Sequence, residues 1–175
     1  FFQAEDGIRD DVESRRLGDV YKRQEDAVWL KKGEEYKDET LSVRAFGSTD
    51  VGVSFLLQAS GKKIFHAGDL NNWHWMDEST EAEWKGAEKN FLHELDDLYA
   101  YTPEVDVAMF PVDPRLGKEY MRGAGQFVTK IKTHIFVPMH FTPEYAKANA
   151  FRDFAEAHGV RFVSLTHRGQ KIEIE

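Results

Sequence analysis

The stretch Ile64 to Trp75, IFHAGDLNNWHW, decides how this chain is read. A short apolar run containing His66 ends at Gly68-Asp69, and two amides, two tryptophans and His74 follow directly. Polar residues just past the C-terminal end of a buried strand are the usual site-builders of α/β proteins, because the sheet holds them rigidly while leaving them open to solvent. Gly68 before Asp69 lets the backbone turn sharply and aims the carboxylate into a cleft. The same residues also suit a plain polar loop. Asp69 would then bond nearby backbone N–H groups, and Trp73, His74 and Trp75 would anchor the loop by burying aromatic area. What else in the chain converges on Asp69 separates the two readings.

Upstream of the loop, Leu41 to Phe46 alternates apolar and polar residues, the period of a half-buried strand. Gly47 to Asp50 is turn chemistry, Val51 to Leu57 is a second strand, and Ser60-Gly61 makes a tight connection into a third over Lys62 to His66. These three predict an antiparallel meander. Val28 to Leu30 suits a short strand, followed by turn-like KKGEEYKDE. Downstream, Ser79 or Thr80 caps a helix whose Trp84, Ala87, Phe91, Leu95 and Leu98 fall at three- and four-residue spacing. A strand over Val105 to Phe110 ends at Pro111, a helix is predicted near Gln126 to Lys132, and Ile135 to Met139 is an apolar strand. Pro143 suits the first turn of a helix running to His158, with Gly159 as its cap. Val160 to Leu165 and Lys171 to Ile174 supply the last two strands. Strands that come to alternate with helices imply an α/β mixed sheet covered by helices. Two further strand ends then join Asp69 as candidates: Asp113 after VAMFPV and His140 after IFVPM.

Bulk properties narrow the partners. The chain has 175 residues, enough for one domain with a real core. A net charge of -8, with no long Lys/Arg cluster, argues against a nucleic-acid surface. The longest apolar run is far too short to span a bilayer, and no signal peptide is visible. Without cysteine there are no disulfides or thiolate metal sites, which fits a reducing cytoplasm. Residues 1–24, FFQAEDGIRDDVESRRLGDVYKRQ, are charge-dense and lack periodicity. They resemble a translated artefact of sequencing adapters, the alternative being an exposed N-terminal arm.

FHAGDLN, followed far downstream by VPMHF, resembles the C-terminal half of a metallo-β-lactamase-fold hydrolase. VRAFGSTDVGVSFLL, FPVDPRLG and LTHRGQ resemble one bacterial branch of that superfamily. The resemblance covers residues 25–175 and implies a truncated domain, the second half of an αββα sandwich. By this match Asp69 is the metal-bridging carboxylate and His140 the ligand to a second metal. Asp50, in GSTD, stands near a position where many members carry another ligand histidine, and either substitutes for it or leaves it unfilled. The family implies zinc, one or two ions in the intact parent and weak or absent binding in this piece. It also implies a metal-bound hydroxide attacking an ester, lactone, amide or phosphoester in a small-molecule substrate. Manganese and iron suit the same ligand types. Trp73, His74, Asp113 and Arg115 are candidates to shape the substrate pocket; Asp113 and Arg115 equally suit orienting a ligand histidine or a structural pair.

One departure is plain. The superfamily's His-x-His-x-Asp-His loop has no counterpart here, and none of the seven histidines forms a His-x-His pair. The expectation is therefore a fragment of a hydrolase that is not itself competent, with an uncovered half-fold surface prone to self-association. The rival expectation is a non-catalytic α/β binding or interaction module, in which the strand-end residues are structural.

Overall fold

Period-2 runs become strands here because each pairs with a neighbour and buries apolar side chains in one or more of three clusters, one of which lies under the helices. The computed structural model describes the backbone of Phe2–Gln3 and residues 27–141 and 143–173. The strands are β1 (Phe2–Gln3), β2 (Val28–Trp29), β3 (Glu35–Lys37), β4 (Leu41–Phe46), β5 (Ser54–Ala59), β6 (Lys62–His66), β7 (Glu104–Pro111), β8 (Lys132–Met139) and β9 (Arg161–Phe162). Strands β3 to β9 form one sheet in sequence order. β3 to β6 pair antiparallel, and β6 to β9 pair parallel. The expected meander is the antiparallel half. Its β5–β6 connection is two residues with positive φ, Ser60 at 51° and Gly61 at 74°, which matches the right-handed strand twist. Beside this sheet, β1 pairs parallel with β2. The remaining leader residues lie outside the described ones.

Helices α1 (Glu81–Tyr101), α2 (Arg122–Lys130), α3 (Tyr145–Asn149) and α4 (Arg152–Ala157) follow the meander. Phe91, Leu95 and Leu98 of α1 and Phe127 and Val128 of α2 pack against Leu56, Phe65, Ala108, Phe110 and Phe136 of the sheet. The alternate strand residues Val43, Ala45, Val107 and Ile135 belong to two smaller clusters that contain no helix residue. This is an α/β architecture with a mixed sheet, as expected. No described helix is long and apolar enough to cross a membrane.

Thr80 starts α1 with a capping box. Its Oγ1 accepts the Glu83 N–H at 3.4 Å, and Glu83 Oε2 accepts the Thr80 N–H at 2.8 Å. Reciprocal satisfaction of two end donors is worth about 1 kcal/mol. Thr80→Ala is therefore expected to lower the urea midpoint by that amount at unchanged slope. A variant indistinguishable from the parent would mean the helix start is held by packing alone.

Several boundaries differ from the expectations, each for a tertiary reason. The segment read as turn-like contains β3, because Glu35–Lys37 finds β4 as a partner. Val51 to Val53 belong to the turn rather than to β5. α2 begins at Arg122, four residues before Gln126, through two glycines that propensity disfavours. A Cβ at Gly123 would overlap the Asn71 side-chain oxygen, so that glycine serves a close approach. Lys132 opens β8 instead of closing the helix. The predicted helix to His158 is broken into α3 and α4 where Phe151 is drawn fully into the core. Beyond β9 the chain leaves the ladder: the Asn149 side chain replaces a strand partner, accepting the Leu165 N–H at 3.1 Å and donating to Leu165 O at 2.8 Å. Residues 171–173 are not strand, and Ile174 lies outside the described residues.

Candidate functional site

The three strand ends singled out in the sequence meet. β6, β7 and β8 are parallel neighbours, so their C-terminal ends lie at one edge of the sheet. After β6, Gly68 takes φ 57°, and a Cβ on it would stand 2.8 Å from the Val53 carbonyl oxygen. No other residue type makes that turn without strain. His66 closes it from behind, its Nδ1 accepting the Gly68 N–H at 3.0 Å. Burial, the largest influence, pushes the His66 pKa down, which favours the neutral ring that offers that acceptor. Asp69 follows with its side chain 38% exposed.

After β8, His140 adopts φ 64°, a left-handed conformation that costs a residue with a Cβ about 1–2 kcal/mol. The strain is offset by three neighbours. His140 Nδ1 lies 2.8 Å from Asp113 Oδ2, its Nε2 lies 3.3 Å from Asp69 Oδ1, and its ring meets the Trp73 indole edge-on at 5.3 Å. After β7, Asp113 is buried at 1% exposure. It caps the 3-10 helix Pro114–Glu119. Arg115 grips it, with the backbone N–H on Oδ1 at 3.0 Å and the guanidinium Nε and Nη2 on Oδ2 at 3.0 and 2.6 Å. Burial pushes the Asp113 pKa up, but the Arg115 hydrogen bonds outweigh it and leave the carboxyl below its ordinary value. The Arg115 guanidinium is raised in turn, first by Asp113 and further by the charges of Asp50 and Asp69.

The loop behind Asp69 is pinned at every turn. Trp73 Nε1 donates to Asp69 O at 2.8 Å, and the two tryptophans stack at 6.3 Å. Thr49 Oγ1 donates to Asn71 O and accepts from Asn71 N, tying the GSTD turn to the loop. Asn72 is fully buried and donates to Gln126 of α2 at 2.9 Å. Gln126 and Arg122 both bond Glu88 of α1. Arg122 is the largest influence in holding the Glu88 carboxyl below its usual range.

Of the residues expected to form the site, Asp69, Trp73, Asp113, Arg115 and His140 are together. His74 is not among them. It is 1% exposed, its Nδ1 accepts the Met76 N–H at 3.1 Å, and its Nε2 faces Glu119 O at 3.2 Å. With both nitrogens engaged inside the protein, it fastens the loop to the 3-10 helix. Asp50 is exposed and influences Arg115 electrostatically. It shares a cleft of about 480 Å³ with Ser48, Trp73, Asn90 and Glu94. Among the described residues no group of three or more His, Cys, Asp or Glu side chains is disposed to hold a metal ion, so Asp50 does not join Asp69 and His140. The contributions of Thr49, His66 and Asn72 were missed in the sequence, where each reads as ordinary turn or strand polarity.

The fold matches solved structures. A metallo hydrolase, Igni18, of the archaeon Ignicoccus hospitalis superposes with TM-score 0.56 at 15% identity, covering 94% of this chain and 64% of that one. A candidate metal-dependent hydrolase of Parabacteroides distasonis gives 0.54 at 15% identity, covering 83% and 60%. CmlA, a diiron β-hydroxylase from Streptomyces venezuelae, gives 0.54 at 12% identity, covering 85% and 35%. No protein-family model and no curated protein matches the chain. The likeness establishes the class of fold alone, a metallo-β-lactamase-type α/β domain matched over part of the length of those structures. The chain spans under two thirds of the length of these solved structures.

Proposed function

We propose that this chain carries part of the metal centre of a hydrolase, with Asp69 and His140 as two of its ligands. The observation that supports the reading is the approach of Asp69 Oδ1 and His140 Nε2 to 3.3 Å at a solvent-open mouth, between residues 71 positions apart. Two ligands of one tetrahedral zinc, each about 2.0–2.1 Å from it, lie about 3.3 Å from each other. The pair therefore fits one edge of a zinc tetrahedron, and only that edge, since the described residues offer no three-donor group. The remaining donors are assigned to a part of the parent protein outside the described residues. The length of the matched structures beyond the matched region supports this.

A zinc ion supplies Lewis-acid polarisation and an acidified water. The chain's own residues do the rest. Asp69 and His140 orient the centre, Asp113 and Arg115 hold His140, and Trp73 gives a small-molecule ester, lactone, amide or phosphoester an aromatic wall beside the Asp50 cleft. The ligand types also suit iron, the metal named for CmlA.

Calorimetric titration of this chain with zinc tests the reading. With two ligands, a single weak site is expected, with Kd between about 1 μM and 1 mM, and Asp69→Asn and His140→Gln should each weaken it at least about tenfold. Absence of binding at about 1 mM zinc, or binding indifferent to both substitutions, would favour the non-catalytic module instead.

A further inference from the structure

We infer that Asp113, clamped by Arg115, is a positioning residue that fixes the ring proton of His140 on Nδ1 and turns the Nε2 lone pair toward Asp69. The argument is one of donors and acceptors. An ionised carboxylate can only accept, and a neutral imidazole has one donor and one acceptor nitrogen. Asp113 Oδ2 stands 2.8 Å from His140 Nδ1; an unprotonated Nδ1 there would set a lone pair against the negative oxygen of a carboxylate that is itself buried. Two groups favour the opposite tautomer. Asp69 Oδ1, a carboxylate oxygen, faces Nε2 at 3.3 Å and would accept a proton there, but it is the longer of the two carboxylate contacts and its side chain is open to solvent. Arg115 Nη2, a pure donor, lies 3.4 Å from Nδ1. That distance is long for a hydrogen bond, and the same Nη2 already donates to Asp113 Oδ2 at 2.6 Å. The shorter contact to the carboxylate decides the tautomer.

Arg115 matters through Asp113. Its backbone N–H, Nε and Nη2 all engage the carboxylate, fixing its plane and keeping it charged. An arginine with this fork committed to an internal carboxylate is a clamp, which fits the orienting role that the sequence left open beside a substrate contact and a structural pair. With Nδ1 carrying the proton, Nε2 and Asp69 Oδ1 become two acceptors facing each other at 3.3 Å. Such a gap suits a cation. The left-handed backbone of His140 is then part of the same device, since it swings the ring into line between the two aspartates. The consequence for metal affinity rests on the function proposed above, but the tautomer does not.

Long-range proton–nitrogen NMR correlation on nitrogen-15-labelled protein reads the tautomer directly, at a pH about two units above the ordinary histidine value of ~6.5. His140→Gln identifies the signal. In the parent chain Nδ1 is expected to be the protonated, pyrrole-type nitrogen and Nε2 the bare, pyridine-type one. Asp113→Asn, whose amide can donate to Nδ1, should transfer the proton to Nε2 and weaken zinc binding by about 10-fold or more. Arg115→Lys keeps the carboxylate and should keep the parent tautomer. An Nε2–H tautomer in the parent, or an unchanged one in a folded Asp113→Asn, would overturn the inference. The parent spectrum alone can do so should that variant fail to fold. An Nδ1–H tautomer in a chain that binds no zinc would instead sink the functional proposal and leave this one standing.

Discussion

Phe110→Ala is expected to lower the unfolding free energy by about 3–5 kcal/mol, the range for deleting a fully buried aromatic ring. Phe110 is 0% exposed. Its ring lies 4.6 Å from that of Phe127, 6.2 Å from Phe91 and 6.3 Å from Phe136. It therefore joins α1, α2 and the neighbouring strand in one contact group. The rings around it belong to three different elements and cannot all collapse into the space it leaves. Domains of this size are stable by roughly 5–15 kcal/mol, so the variant should lie close to its unfolding threshold. Urea denaturation followed by circular dichroism measures the loss. Val51→Ala, at a side chain 48% exposed, serves as the neutral comparison. A Phe110 loss below about 1 kcal/mol would mean that the core refills the cavity.

Gly68→Ala combines two separate penalties. The left-handed φ of 57° costs a residue with a Cβ about 1–2 kcal/mol. The new methyl would also sit 2.8 Å from the Val53 carbonyl oxygen, a backbone atom that cannot swing aside; overpacking of this kind adds about 1–3 kcal/mol. Gly33 provides the control. Its φ is 89°, with nothing within 4 Å of an added Cβ, so Gly33→Ala carries only the strain. Gly68→Ala is thus expected to be the costlier by the steric part, and to lose zinc binding because the displaced turn carries Asp69 away from His140. Equal costs at the two glycines would show that the close approach to Val53 is relieved by small backbone shifts.

How far the site was legible in the sequence varies residue by residue. Gly68-Asp69 and His140 stood out because a polar residue after an apolar run is a local pattern. Asp113 and Arg115 were visible as a pair, but whether they faced substrate, a ligand histidine or each other was open. The answer depends on the Arg115 side chain folding back onto a carboxylate only two residues away. For His74, a histidine between two tryptophans, a pocket wall and a loop anchor were both open. Only the turn that presents Met76 N–H to one nitrogen and Glu119 O to the other shows it to be internal. Asn72 was passed over since amides in loops are common, and its bond to Gln126 spans 54 positions.

By itself the sequence determined most of the succession of strands and helices, a helix start at Ser79 or Thr80, the tight hairpin at Ser60-Gly61 and the candidacy of three strand ends. All of these rest on interactions among residues a few positions apart, where periodicity, caps and turn chemistry operate. Only the tertiary structure decided that Asp69, Asp113 and His140 form one line. Three parallel strands had to pair in register, and one histidine had to take a backbone angle that no local preference favours. Contacts between strand ends dozens of residues apart are set by sheet register and burial, which a linear pattern does not encode.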